Sequence, residues 1–366
     1  MNDSRGRRIA IRILLATAAL AVGLVAFEGA LRAFAPQPLV TPVNESFLGV
    51  AAPTAGMRGR VTLPGQYDTF VSIGSDHFRL AGAVDAPAGA DTMRIAMLGD
   101  SVTFGIGADD GQTYPAQVER VLNATTPHGA PTVEVINAGV VGTGTGEQTV
   151  WYERWVRRFR PQIVVLNVFF NDIDDDRERG LMTRTADGGV APAASAPIAA
   201  PRLGFVRHVP GYAYLAAHSH VAALVRVAGS KLSAGGAARA SAAPPPYGRQ
   251  SFVAEGLVMQ SSEILFLRNR VAADGARLIV VSIPVRQLVY RGDPPDGDAG
   301  WKSETIARSL ETLCAREGIP FLDVTGGLRE RAAGGRLYFL ADSHPTPRGY
   351  RAIAEITGRF IDAQLP

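Results

Sequence analysis

Four short segments of the sequence place polar side chains directly beside apolar runs. Ser101 stands in the first, where Gly-Asp-Ser follows the apolar residues 95–98. A serine at a strand-to-helix turn projects its hydroxyl beyond the sheet edge, where it can act as a nucleophile. The surrounding residues are not the G-x-S-x-G elbow of ordinary α/β-hydrolases. The structural alternative is a serine that only caps the following helix.

A histidine that could activate such a serine stands near the end of the chain. Of the six histidines, His344 alone is predicted to lie at a sheet edge with an acid, Asp342, beside it. A neutral histidine can take the proton of a serine, and a carboxylate can orient the histidine ring. His218 and His220 are two residues apart and could share a metal ion, but the sequence offers no third ligand.

The two remaining segments could bind a negatively charged oxygen. Residues 137–144 form a glycine-rich loop without the pattern of a phosphate-binding or dinucleotide-binding loop, and Asn171 ends the longest apolar run. A backbone N–H and an asparagine amide are both donors used for oxyanions. A tight crossover turn and a loop that begins with asparagine are the structural alternatives. The acidic run 174–176 lacks the spacing of a calcium loop, so we expect a solvated turn there.

The elements that must position these residues follow from hydrophobic periodicity. Short apolar runs alternate with segments of helical spacing. The predicted strands are 95–98, 133–136, 163–170, 277–283 and 320–324. The predicted helices are 114–122, 147–159, 252–273, 301–317 and 348–362. This alternation predicts an α/β fold with a mainly parallel sheet between two layers of helices. Because ligands of such sheets bind at the carboxyl ends of the strands, we expect the four polar segments to converge there.

In this order, the four segments resemble those of the SGNH (GDSL-type) hydrolase superfamily. The resemblance covers roughly residues 93–180 and 250–366, and it implies a three-layer αβα sandwich of the flavodoxin-like kind. It also implies an enzyme that needs no cofactor and no metal. The stretch 74–79 (GSDHFR) is similar to the one that precedes the serine segment in membrane-anchored bacterial members.

The resemblance implies a catalytic triad. Ser101 would be the nucleophile, His344 the general base and Asp342 the acid that orients it. Two departures from the family pattern stand out. The common spacing is Asp-x-x-His, whereas Asp342 is only two residues before His344, and Phe169 replaces the usual glycine of Gly-x-Asn-Asp. A bulky residue there would narrow the pocket.

The resemblance also implies an oxyanion hole. Its donors would be the backbone N–H of Ser101, the backbone N–H of Gly142 and the side chain of Asn171. Gly142 is preferred over Gly139 because it lies five residues after Asn137, where the family usually has its glycine.

The N-terminus has the pattern of an export signal. Four arginines within residues 1–12 precede residues 13–27, which carry no charge. This pattern indicates a signal peptide or a membrane anchor whose start is cytoplasmic. The small-x-small site at 33–35 is followed by Pro36 and separated from the apolar core by Glu28 and Arg32, which favours an uncleaved anchor. We therefore expect a single-pass protein of the cytoplasmic membrane whose catalytic domain faces the periplasm.

Three units are predicted from these patterns. Residues 1–35 form the anchor, residues 36–92 a linker and lead-in segment, and residues 93–366 the hydrolase domain. An Ala/Pro-rich insertion at 181–249, either a lid or a disordered loop, interrupts that domain.

Composition limits the function further. The formal net charge of +3 is too small to indicate nucleic-acid binding. The single cysteine, Cys314, excludes an internal disulfide framework and is expected to be a buried apolar residue. We expect a serine esterase that acts on ester groups, principally O-acetyl groups, of a cell-envelope carbohydrate or lipid. An O-acetyltransferase of an exported polysaccharide and a non-catalytic anchored glycan-binding or assembly protein are the alternatives.

Overall fold

The structure is a computed structural model. It describes residues 3–37, 39, 44–80, 91–125, 130–186, 189–193, 211, 214–215, 218–225, 228, 249–290 and 299–365. The strands in chain order are β1 (Asn44–Phe47), β2 (Val50–Pro53), β3 (Arg58–Leu63), β4 (Tyr67–Ser72), β5 (Thr92–Gly99), β6 (Thr132–Gly139), β7 (Ile163–Val168), β8 (Met182–Arg184), β9 (Val190–Pro192), β10 (Arg277–Ser282) and β11 (Phe321–Asp323).

The α-helices include one at the N-terminus and others between and after the strands. In chain order they are α1 (Asp3–Phe34), α2 (Ser101–Phe104), α3 (Tyr114–Thr125), α4 (Thr145–Arg154), α5 (Asp172–Arg179), α6 (Arg249–Ala273), α7 (Arg286–Val289), α8 (Ala299–Glu317), α9 (Thr325–Ala332) and α10 (Pro347–Asp362). Short 3-10 helices cover Asp110–Gln112 and Val156–Phe159.

The central sheet has five parallel strands in the order β11-β10-β7-β5-β6. This is the flavodoxin-like order, so the predicted α/β fold with a parallel sheet is confirmed. The order of the strands reverses between β5 and β7. The crevice at that switch point is where open α/β sheets bind ligands, and it lies between the strand before Ser101 and the strand before Asn171.

Helices cover both faces of the sheet. Along β5, Ile95 and Met97 pack in one core with residues of α3 and α10, while Ala96 and Leu98 pack in a second core with residues of α4, α6 and α8. All four side chains are fully buried. Burial on both faces explains why the strands are continuous apolar runs without polar alternation. Cys314 on α8 belongs to the second core and is fully buried, as predicted.

The acidic run 174–176 is helical, and the prediction of a solvated turn there was wrong. These residues lie within α5, which ends at Gly180 in the left-handed conformation (φ 57°). Acids in the first turn favour a helix through its dipole. Tertiary contacts decide the rest, because Asp176 Oδ1 accepts the N–H of Gly146 at 2.7 Å at the start of α4.

Part of the segment predicted to be a linker and lead-in, residues 36–92, forms strands. β1 pairs with β2, and β3 pairs with β4, both antiparallel. The second hairpin is anchored by Val61 and Val71, which pack with Phe104 of α2 in a small core of their own. The strands therefore depend on burial against the sheet domain, which local periodicity could not indicate.

The first helix and the insertion are described in part. Residues Ile11–Phe34 of α1 form a helix long and apolar enough to cross a membrane, and none of its most apolar stretch is buried. In the insertion, β8 pairs with β9 antiparallel, and residues 220–225 are helical. Residues 187–188, 194–210, 212–213, 216–217, 226–227 and 229–248 of the expected lid or loop lie outside the described residues, and the three-unit division stays a prediction.

Candidate active site

Ser101 is the first residue of α2, immediately beyond the carboxyl end of β5. The turn requires glycine at position 99, where φ is +155° and a Cβ would lie 2.1 Å from Thr103 Oγ1. Asp100 caps the short helix, because its Oδ1 accepts the N–H of Val102 at 2.9 Å. The chain thus presents the Ser101 hydroxyl at the sheet edge, half-buried rather than enclosed.

Arg79, the last residue of the stretch 74–79, contacts the carboxyl end of α2. Arg79 is almost fully buried, and its guanidinium donates to the carbonyl oxygens of Phe104 at 3.0 Å and Gly105 at 2.6 Å. A cation at the carboxyl end of a helix satisfies carbonyls that have no partner within the helix. The turn that carries Ser101 is therefore fixed at both ends.

His344 lies in the loop before α10 and meets Ser101 across the sheet edge. Its Nε2 is 2.8 Å from Ser101 Oγ. Its Nδ1 contacts Asp342 Oδ1, and the same oxygen accepts the backbone N–H of His344 at 2.9 Å. The structure therefore brings together the three residues predicted to form a triad. The short Asp-x-His spacing is accommodated because one carboxylate oxygen meets both the ring and the backbone of the histidine.

Hydrogen bonds keep Asp342 in its charged form. Burial raises the pKa of this carboxyl group, but the hydrogen bonds from His344 and from Tyr67 outweigh it, so the pKa lies below its ordinary value. Tyr67 OH donates to Asp342 Oδ2 at 3.2 Å. Tyr67 was missed by sequence reasoning, since 275 residues separate the pair and its hairpin carries no chemical signature.

The structure distinguishes the two glycines considered for the oxyanion hole. Gly139 ends β6, its N–H donates to Asn137 Oδ1 at 3.1 Å, and a Cβ there would lie 2.3 Å from the backbone nitrogen of Phe104. Gly139 therefore allows β6 and α2 to approach closely. Gly142 lies beyond the strand, half-buried, in the left-handed conformation (φ 69°). This arrangement agrees with the choice of Gly142, whose role as a donor stays a prediction.

Asn171 lies at the start of α5, beyond the carboxyl end of β7. Its Nδ2 donates to Asp175 Oδ2 at 2.6 Å, and its side chain also hydrogen-bonds Asp100 next to the serine. The amide is thus held between two acids, one of which, Asp100, is the residue before Ser101. Its contribution to an oxyanion hole stays a prediction.

Behind these loops lies a group of buried acids that sequence reasoning missed. Burial raises the pKa of Asp100, and burial together with neighbouring carboxylates raises that of Asp172 far above its ordinary value. Burial also raises the pKa of Asp176 to about 7, and that of Glu263, beside it, well above the usual range. No sequence signal could identify them, because acids are normally exposed.

A metal ion has no evident place among these groups. In the part of the chain that the structure describes, no cluster of three or more His, Cys, Asp or Glu side chains could hold one. His218 and His220 are included in that part of the chain.

Comparison with known proteins adds a family match. The sequence pattern of the GDSL-like Lipase/Acylhydrolase family matches residues 97–352, which include every site residue described above except Tyr67 and Arg79. No curated protein matches the chain.

Solved structures with similar folds are distant in sequence. LAE5, a hydrolase from the metagenome of Lake Arreo, Spain, is 14% identical with a TM-score of 0.44, over 77% of this chain and 99% of that one. Axe2, an acetylxylan esterase from Geobacillus stearothermophilus, is 14% identical with a TM-score of 0.42, over 74% and 94%. A putative lipolytic G-D-S-L protein from Desulfitobacterium hafniense is 13% identical with a TM-score of 0.41, over 73% and 99%.

Proposed function

The chain belongs to the GDSL-like lipase/acylhydrolase family and is an ester hydrolase of the SGNH class, and from this premise we propose that it works through an acyl-enzyme formed on Ser101. One observation carries the proposal. His344 Nε2 lies 2.8 Å from Ser101 Oγ while Nδ1 of the same ring contacts Asp342. A nucleophile, a base and an orienting acid within hydrogen-bond reach of one another is the arrangement that activates a serine.

The proposed reaction has two halves. Ser101 Oγ attacks the ester carbonyl as its proton passes to His344 Nε2, and the resulting imidazolium is stabilised by the Asp342 carboxylate. Collapse of the tetrahedral intermediate breaks the ester C–O bond, and His344 returns the proton to the departing alcohol. Water then attacks the acyl-enzyme with His344 again as base, which releases the acid and restores Ser101.

The tetrahedral oxyanion would be bound by three donors. These are the backbone N–H of Ser101, the backbone N–H of Gly142 and the amide of Asn171. We expect Asn171→Ala to lower kcat by about 10²–10³, since that is the usual cost of removing one oxyanion donor. Steady-state kinetics on an aryl acetate measures this directly, and an unchanged kcat would remove Asn171 from the oxyanion hole.

The first helix supports a place at the membrane. Its apolar stretch is long enough to span one, and four arginines precede the uncharged residues 13–27. Near its other end, Glu28 accepts hydrogen bonds from Ser219 Oγ and from the backbone of His220 and Val221, each at 2.9 Å. Arg32 donates to the carbonyl oxygen of His218 at 2.7 Å. These contacts to the rest of the chain favour a retained anchor over a cleaved signal. The arginines before the apolar stretch favour a catalytic domain on the periplasmic side.

The anchor can be tested apart from catalysis. We expect the full chain to stay with membranes after alkaline carbonate washing and to keep the mass of residues 1–366 apart from its initiator methionine. A soluble protein that begins near residue 36 would show instead that the segment is a cleaved signal.

The proposed location at the membrane, facing the cell envelope, indicates a class of substrate. An anchored enzyme that faces the cell envelope would meet acylated carbohydrates and lipids, and we propose O-acetyl groups on such a molecule as the substrate. Free acetate released from an acetylated glycan would support hydrolysis. Acetylated product formed on an added glycan, without free acetate, would indicate acetyl transfer, and release of a long-chain acid would indicate a lipid ester.

Substitution of the nucleophile tests the central assignment. We expect Ser101→Ala to abolish turnover of an aryl acetate and labelling by a fluorophosphonate. Ser262→Ala is the matched control, since Ser262 is a partly exposed residue of α6 whose hydroxyl donates to the carbonyl oxygen of Val258 in the same helix. Activity retained by Ser101→Ala, with labelling intact, would overturn the proposal.

A further inference from the structure

A hairpin outside the residues matched by the family pattern reaches the loop that carries the triad acid. The turn between β3 and β4 ends with Gln66, and Tyr67 is the first residue of β4. Gln66 Oε1 accepts the backbone N–H groups of Leu340 and Ala341, each at 3.1 Å. A single side chain thus satisfies two successive donors of a loop that has no regular secondary structure.

Tyr67 extends this contact to the acid itself. Its hydroxyl donates to Asp342 Oδ2 at 3.2 Å, and its ring packs on Phe339 with 5.1 Å between ring centroids. The packing is tight, since a Cβ added at Gly107 would lie 2.5 Å from the Phe339 ring and 3.1 Å from that of Tyr67. Burial and the Asp342 charge raise the pKa of Tyr67, so the hydroxyl is a donor at neutral pH.

The two carboxylate oxygens of Asp342 accept hydrogen bonds from different parts of the chain. Oδ1 receives the ring and the backbone N–H of His344, both from the same loop. A carboxylate held by one oxygen alone can rotate about its last side-chain torsion, which is a soft one. Tyr67 holds Oδ2 from a different part of the chain and so fixes the plane of the carboxylate.

We propose that Tyr67 and Gln66 are positioning residues for the triad, so that the catalytic unit begins at the β3–β4 hairpin instead of at β5. The inference rests on the proposed function, since Tyr67 acts only through Asp342 and His344. The hairpin also adds a contact from outside the loop to an acid that stands only two residues before its histidine.

The first test is Tyr67→Phe, which keeps the ring and removes the hydroxyl. We expect kcat on an aryl acetate to fall about tenfold with KM unchanged, since one hydrogen bond to a charged group is lost. Without this bond the carboxylate becomes a stronger acceptor for the imidazolium, so the acid limb of the pH profile should move upward. The ionisable groups described around Asp342 are those of His344, Tyr67 and Tyr350.

A second tyrosine serves as a control that distinguishes the positioning of Asp342 from a general effect on the stability of the fold. Tyr290 OH accepts the N–H of Leu337 at 2.6 Å, in the same segment but away from Asp342. We expect Tyr290→Phe to lower the melting temperature without moving the acid limb. If both variants gave the same pH profile as the natural protein, with kcat unchanged in Tyr67→Phe, the inference would be overturned.

A double-mutant cycle shows whether Tyr67 acts through the acid. In an Asp342→Ala background, Tyr67→Phe should have no further effect on kcat, because the acceptor is gone. An equal loss in both backgrounds would contradict the proposal. For the second residue, Gln66→Leu should lower kcat, and Gln66→Glu, which keeps an acceptor oxygen, should recover most of the loss.

The outcomes distinguish the two proposals. Activity that survives Ser101→Ala refutes the proposed function itself. Activity that is lost in Ser101→Ala but unchanged in Tyr67→Phe refutes only the positioning role of the hairpin.

Discussion

The environment of Asp342 predicts that two substitutions of this acid will differ strongly. In Asp342→Asn, the amide oxygen can stay toward His344 and accept its ring N–H and backbone N–H as before. The amide NH₂ then faces Tyr67, whose hydroxyl can rotate and accept instead of donating. The histidine therefore keeps the tautomer that leaves Nε2 free to take the proton of Ser101.

The loss of kcat in Asp342→Asn should come only from removal of the negative charge of the carboxylate. The imidazolium formed during attack would no longer face a carboxylate, and its ring N–H would donate to a neutral amide oxygen instead of to an opposite charge. At partly buried sites this difference is about 3 kcal/mol, which lowers kcat about a hundredfold. Asp342→Ala removes the acceptor altogether, frees the ring to rotate and to change tautomer, and should lower kcat by about 10⁴.

The assay compares kcat of both variants on an aryl acetate, with thermal melting to establish that each is folded. Asp342→Asn should be roughly a hundred times faster than Asp342→Ala, by the two estimates above. Adding Tyr67→Phe to Asp342→Asn should reduce this advantage, because the amide loses the partner that fixes its orientation. If the Asn and Ala variants were equally slow, the amide would not be oriented as the structure indicates, and the reasoning would be refuted.

Two further predictions concern the scaffold of the site. Gly139→Ala should destabilise the fold by about 1–3 kcal/mol, since the new Cβ would meet backbone that no side-chain rotation can move. Gly326→Ala is the control and should not destabilise it, because Gly326 is helical and has nothing within 4 Å of the new Cβ. Thermal denaturation measures both. The raised pKa of Asp176, about 7, means that this carboxyl group binds more protons in the folded state than in the unfolded state, so its contribution to stability is fully present below about pH 4 and is lost as pH rises to about 7. Asp176→Asn should remove this contribution and make the fall of the melting temperature between pH 5 and pH 7 less steep, while the other buried acids keep theirs; an unchanged slope would show that Asp176 does not contribute to it.

Periodicity in the sequence determined the sheet domain closely. The predicted strand 95–98 is the centre of β5, and the predicted helix 348–362 differs from α10 by one residue at its start. These elements are long or fully buried, so a pattern of apolar residues is sufficient to identify them. α5 could not be predicted, because its sequence DIDDDRER offers no apolar stripe and its place depends on contacts with the start of α4.

For the site, too, the identities of the residues could be predicted from the sequence, but their contacts could not. Ser101, Asp342 and His344 could be proposed from the sequence, because each stands beside an element boundary and has a side chain that few structural roles require. The hydrogen bonds between them could not be predicted, because Ser101 and His344 are 243 positions apart and meet only after the sheet has formed. The tertiary structure alone decided that Tyr67 holds the second oxygen of Asp342 and that Gly139 and Gly142 have different places. Both depend on distances between segments, and a single sequence records the order of residues along the chain but not which of them meet in space.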